Sequence, residues 1–281
     1  MSDLHAEICE QPAVLARVFE SRLNAIQPLV DAVKRSDIDF VYVAARGTSD
    51  HAGIYAKYLW GAYCGLTVAL AAPSLFTLYG RRVNLKRALV LGISQSGESP
   101  DIIQVVEDAG KQGALTAVLT NAVTSPLADA ANVVLDLCAE KEQAVAATKS
   151  YTASLMTLAL IMAALQDNPD PYFNVLGRLP ETVSQVLLQD DRIAEEAVRY
   201  RDMDRCVVLS RGFNYATAFE WALKLKELTY LIAEPYSTAD FLHGPIAMVE
   251  PGFPVLMVAP RGRTLDGAVS LAARLRRDYQ A

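Results

Sequence analysis

Two short segments of the chain carry hydroxyl side chains at a spacing suited to anion binding. Gly92-Ile93-Ser94-Gln95-Ser96-Gly97-Glu98-Ser99-Pro100 follows one apolar run, and Arg46-Gly47-Thr48-Ser49-Asp50 follows another. In each, buried-strand composition gives way to glycine and hydroxyl residues where a helix should begin. Such a junction aims backbone N–H groups and the positive end of a helix dipole at one point, and Ser and Thr hydroxyls add donors. A plain strand-to-helix turn with capping serines gives the same local pattern. Two such turns at one sheet edge, however, can converge on a single phosphate without any arginine cluster. Gly92 and Gly97 are spaced as in a P-loop, but Glu98 stands where the P-loop lysine belongs, which argues against a nucleoside triphosphate.

Further along, Lys224 and Glu227 share a helix face at i, i+3, and His243 precedes Gly244-Pro245. As a surface ion pair and a loop imidazole these are ordinary. A carboxylate and an imidazole are also the groups that shuttle protons beside a carbonyl. His5, His51 and His243 are far apart in sequence, and Cys9, Cys64, Cys138 and Cys206 form no CxxC pair, so no metal site is expected. No GxGxxG fingerprint is present, and no cofactor is expected.

The elements that would position these groups alternate. Apolar residues at helical spacing, including Val14, Leu15, Val18 and Phe19, predict a helix over 5–35. Strands are expected at 39–45, 66–72, 88–94, 115–121 and 133–138, with helices between them and a buried helix over 145–165. This alternation implies a doubly wound parallel α/β sheet, whose ligands bind outside the carboxyl ends of its strands. Asp167-Asn168-Pro169-Asp170-Pro171 reads as a linker, and a helix is expected over 180–201. The theme then restarts, CVVLSRGFN matching the earlier VYVAARGTS, which suggests two related units in tandem. The second shows only two clear strands, at 206–210 and 254–259, separated by a helix over 215–232. It therefore looks incomplete, its core finished by further chain or by another subunit.

Net charge is −6 with no Lys/Arg-rich stripe, so nucleic acid and a membrane-surface partner are both unexpected. The uncharged, mostly apolar run 150–166 is too short to span a bilayer. The N-terminus lacks a basic region followed by an apolar one, and with scattered thiols this predicts a cytoplasmic protein.

Taken in order, GTSDHAG, ISQSGES, EQAVAATKS, ALKLKEL and AEPYSTADFLHGP resemble the SIS (sugar isomerase) family. Within it the closer resemblance is to the isomerase half of the glutamine–fructose-6-phosphate aminotransferases. The SIS-type glucosamine-6-phosphate deaminases and fructosamine-phosphate deglycases are similar too. The resemblance implies tandem three-layer α/β/α domains at 37–167 and 201–281, the second truncated, with a helical segment at 1–36 and a linker and connecting helix at 168–200. It implies that Gly47, Thr48, Ser49, Ser94, Gln95, Ser96 and Ser99 bind the phosphate and sugar hydroxyls, and that Val145 offers a backbone contact. It implies that Glu227 moves a proton between C1 and C2, and that Lys224 assists in the open-chain step. His243 would help open the ring, acting in the active site of a neighbouring subunit of a homodimer. Arg46 and Ala147 depart from the pattern, and the family runs several tens of residues beyond 281. With no glutaminase segment before residue 1, deamination or deglycation of an amino- or keto-hexose 6-phosphate is expected ahead of glutamine-dependent synthesis. The alternative is a non-catalytic sugar-phosphate-binding regulator, which would need no base such as Glu227.

Overall fold

Strand residues of alternating orientation give the first unit two cores, one on each side of a single sheet. The computed structural model describes residues 2–281, the side chains of Arg22 and Leu23 excepted. A long helix α1 (Asp3–Arg35) leads into β1 (Phe40–Ala44), α2 (Thr48–Cys64), β2 (Thr67–Leu70) and a short α3 (Ser74–Thr77). Then follow β3 (Ala88–Ile93), α4 (Pro100–Lys111), β4 (Leu115–Thr120), α5 (Pro126–Asp129), β5 (Val133–Asp136) and α6 (Lys149–Ala164). The five strands lie in the order β2-β1-β3-β4-β5, all neighbouring pairs parallel. Val41, Val43, Leu89, Leu91 and Leu119 point into a core shared with α1, α2 and α6. Tyr42, Ala44, Val90 and Val118 point the other way, into a core with Phe76, Val105, Val106 and Leu127. The period of two along each strand produces both faces, and burial on both sides explains why the strands read as continuous apolar runs.

Three helices follow: α7 (Asp170–Leu176), α8 (Leu179–Leu187) and α9 (Asp190–Ala197). The single helix expected over 180–201 is thus divided, with turn residues around Leu188-Gln189 and a 3-10 turn at Val198–Tyr200. The chain falls into two compact units, Met1–Gln189 and Asp190–Ala281.

The second unit contains β6 (Arg205–Ser210), α10 (Tyr215–Thr229), β7 (Ile232–Ser237), α11 (Thr238–Leu242), β8 (Val255–Met257) and α12 (Leu265–Arg274). Its sheet has three parallel strands in the order β7-β6-β8, not two. The helix expected to reach residue 232 stops at Thr229, where Tyr230 turns left-handed (φ +60°), and Ile232–Ser237 pairs with β6. Pro235 inside that run disguises a strand in the sequence; it is tolerated because β7 lies at the sheet edge. Val207 and Leu209 face Phe241 and Leu271, while Cys206 and Val208 face Ala218 and Ala222 of α10. Among the described residues, no helix is long and apolar enough to cross a membrane.

Candidate functional site

Strand order locates a crevice before any side chain is considered. In the order β2-β1-β3 the chain winds one way from β1 and the other way from β3, so the carboxyl ends of these two strands part without a covering crossover. The two hydroxyl segments are the loops that leave those ends. Gly47 is left-handed (φ +53°) immediately before α2, and Thr48 and Ser49 open the helix. Burial pushes the carboxyl of Asp50, in the same first turn, above its ordinary pKa, while His51 and Arg46 pull it back. Arg46 ion-pairs with Asp101 in the first turn of α4, tying one loop to the helix that follows the other.

The second loop is held largely by its own backbone. The Ser94 hydroxyl, buried, accepts from the Gly97 N–H (3.2 Å), and the Ser96 hydroxyl accepts from the Glu98 N–H (3.3 Å). Gly97 has φ +66°, and a Cβ there would stand 2.0 Å from Ser125 Oγ, so the turn packs hard against the cap of α5. The Gly97 carbonyl accepts from the Leu127 N–H (3.1 Å), and the Gln95 carbonyl from the Asn121 N–H (3.1 Å).

Thr48, Ser49 and Gln95 line one pocket together with Ala147, Ser150 and Tyr151. Gly47, Ser94, Ser96 and Ser99 lie on the same two loops but are not part of that lining; Ser96 is exposed and Ser99 half-buried as the N-cap of α4. The third wall comes from the loop between β5 and α6. Helix α6 begins at Lys149, not near 145 as its composition suggests, because acidic side chains hold residues 142–148 out of the helix. Glu142 accepts from the Thr148 N–H (2.8 Å), the Ser150 N–H (3.3 Å) and the Ser150 hydroxyl, doing for α6 what its N-cap Thr148 does not. The buried Glu7 of α1 accepts from the Gln143 and Ala144 N–H groups. Val145 is left in that loop, 95% exposed.

In the second unit, Lys224 and Glu227 do share one face of α10, with Nζ 2.7 Å from Glu227 Oε2. A residue overlooked in the sequence completes the cluster: the buried Glu220 places Oε1 3.2 Å from the same ammonium. Its signal was present, since Glu220 lies one turn before Lys224 on the same face. His243 follows α11, exposed, its N–H donating to the Asp240 carbonyl (3.0 Å).

A family model described as the SIS domain matches residues 36–164 and 199–279. Glutamine–fructose-6-phosphate aminotransferase of Thermotoga maritima is 33% identical over 270 residues, covering 92% of this chain and 44% of that protein. The chain thus spans about half the length of the curated relatives it matches. Among solved structures, the C-terminal domain of glucosamine-fructose-6-phosphate aminotransferase from Francisella tularensis aligns with a TM-score of 0.89 and 27% identity, over 98% of this chain and 81% of that one. A structure from Silicibacter pomeroyi DSS-3, provisionally called a phosphosugar isomerase, aligns with a TM-score of 0.90 and 36% identity, over 98% and 83%.

Proposed function

Because the chain belongs to the SIS domain family, we propose that it is an enzyme acting on an amino- or keto-hexose 6-phosphate, of the deaminase or deglycase type. The observation that carries this reading is the pocket at the β1/β3 crevice. The hydroxyl residues Thr48 and Ser49 of one strand-to-helix loop share it with the carboxamide residue Gln95 of the other. Backbone N–H groups and two helix N-termini there suit a phosphate dianion, and Ala147 and Ser150 form the wall beside it.

The assignment of Glu227, Lys224 and His243 to the chemistry rests on their sequence motifs. In this reading the open-chain sugar loses a proton from one of C1 and C2 to the Glu227 carboxylate and regains it at the other. Lys224, held between two carboxylates, fixes the position of Glu227. His243 of one subunit of a homodimer serves the ring oxygen of a sugar bound to the other.

Turnover is tested by presenting glucosamine 6-phosphate and fructosamine 6-phosphate and measuring ammonia or amine release, with inorganic phosphate as competitor. Glu227→Gln keeps size and hydrogen bonding but removes the base, and should lower turnover at least ~100-fold with little change in sugar-phosphate affinity. Ser96→Ala should instead weaken binding with a smaller effect at saturation. Tight binding without turnover, unchanged by Glu227→Gln, would convert the reading to a non-catalytic sugar-phosphate regulator. The shared site has its own test: mixing His243→Ala with Glu227→Gln protein should restore activity that each lacks alone, and no recovery would rule out sharing.

A further inference from the structure

Asn121 bonds to one lining residue of the pocket, Gln95, and to the turn that leads to another, Ala147, and belongs to none of the motifs. It directly follows β4. Its backbone N–H donates to the Gln95 carbonyl at 3.1 Å, bracing the loop that follows β3. Its carboxamide reaches the other way: Oδ1 accepts from the Ala139 N–H at 2.9 Å, and Nδ2 donates to the Glu140 carbonyl. One partner can only donate and the other can only accept, so they fix which end of the amide is oxygen.

The turn it holds is an unfavourable one. Cys138 (φ +51°) and Glu140 (φ +54°) are both left-handed, a conformation that non-glycine residues keep only where their surroundings hold them. Arg17 donates to the Cys138 carbonyl through Nε (3.2 Å) and Nη2 (3.1 Å), and Asp136 Oδ1 accepts from the Cys138 N–H (2.8 Å). Those contacts secure the turn to its neighbours; Asn121 secures it to Gln95. From this turn the chain runs on through Glu142 and Val145 to Ala147, which lines the pocket together with Gln95.

We propose that Asn121 is a positioning residue that sets the 138–148 loop against Gln95 and so lets the pocket distinguish a phosphorylated sugar from phosphate alone. The proposal rests on the reading of this pocket as a sugar-phosphate site. Phosphate itself needs the loops after β1 and β3; a sugar attached to it needs the wall that Asn121 places.

The test measures binding of fructose 6-phosphate and of inorganic phosphate by titration calorimetry to the full chain and to its Asn121 variants. Asn121→Ala should weaken fructose 6-phosphate about 10-fold, the scale of losing a pair of neutral hydrogen bonds, and inorganic phosphate by less than about 3-fold. Asn121→Asp, nearly identical in shape, guards against a folding defect and adds a readout that a merely structural role would not give. As a carboxylate it turns an acceptor toward the Glu140 carbonyl; as a neutral acid it can donate there and still accept from Ala139. Its affinity for fructose 6-phosphate, divided by that of the unsubstituted protein at the same pH, should therefore rise as pH falls from 7.5 to 5. Equal losses for both probes, or a ratio that does not change with pH, would overturn the assignment of Asn121 while leaving the pocket's function standing. Failure of the unsubstituted chain to bind either probe would overturn both.

Discussion

Gly97 is the residue at which the phosphate loop tolerates least. A methyl group there meets Ser125 Oγ at 2.0 Å and Ser125 Cβ at 2.5 Å, and the positive φ adds its own penalty. Gly97→Ala should lower stability by about 2–4 kcal/mol, the combined scale of overpacking and a left-handed alanine, read as a reduced denaturation midpoint. Asp50 gives a pH signature. Burial raises its folded pKa above the ordinary value, so the folded chain holds that proton more tightly than the unfolded one. Its contribution is fully present below the unfolded pKa, near 3.8, and is lost as pH rises through the folded value. Replacing it with Asn should thus raise the melting temperature more at pH 7 than near pH 4; a constant difference would contradict the burial argument. The hydroxyls of both loops were legible in the sequence because their glycines and strand context are local. Glu220 showed only an i, i+4 spacing to Lys224 and was passed over, while Asn121 carries no local motif: what distinguishes it is a pair of backbone groups distant in sequence.

At the scale of elements, α6 starts late for a reason that can be tested. Lys149, its first residue, has a side chain only 2% exposed and places an ammonium at the positive end of the helix dipole. Glu10 of α1 answers it at 2.5 Å and remains 45% exposed. Glu10→Ala leaves a buried charge without that partner and should cost about 1–3 kcal/mol, less than for a wholly buried pair because water reaches the glutamate side. Lys149→Met should cost less, and the double substitution should recover much of the Glu10→Ala loss; simple additivity in denaturant unfolding would refute the coupling. The strand–helix alternation of the first unit followed from composition, yet the start of α6 and the existence of β7 did not. Val145-Ala146-Ala147 has nothing against a helix except side chains of α1 and Glu142, and Pro235 hides a strand whose partner is β6.

For the whole molecule, the division into two compact units has an experimental consequence. Among the described residues, the two cores of residues 1–189 are built from the first unit and those of 190–281 from the second. A fragment of residues 1–189 should unfold cooperatively by itself and bind inorganic phosphate as the full chain does, because both phosphate loops and their braces lie within it. A fragment that stays unfolded would show that the first unit depends on the second. The repeat of VYVAARGTS in CVVLSRGFN announced two units of one kind, while the division between them at 189/190 emerges only from how the helices pack.

The reach of α1 across the sequence also sets a timetable for synthesis. Val14, Leu15, Val18 and Leu29 are buried in a core that includes Met156, Leu160 and Ile161 of α6, and Glu10 must wait for Lys149, 139 residues downstream. At translation rates of about 5–20 residues per second, the apolar stripe of α1 stays unsatisfied for roughly 7–28 s after it is made. A helix of 33 residues with its greasy side uncovered for that long is a substrate for chaperones that bind nascent chains, and slow codons between residues 35 and 149 would lengthen the exposure.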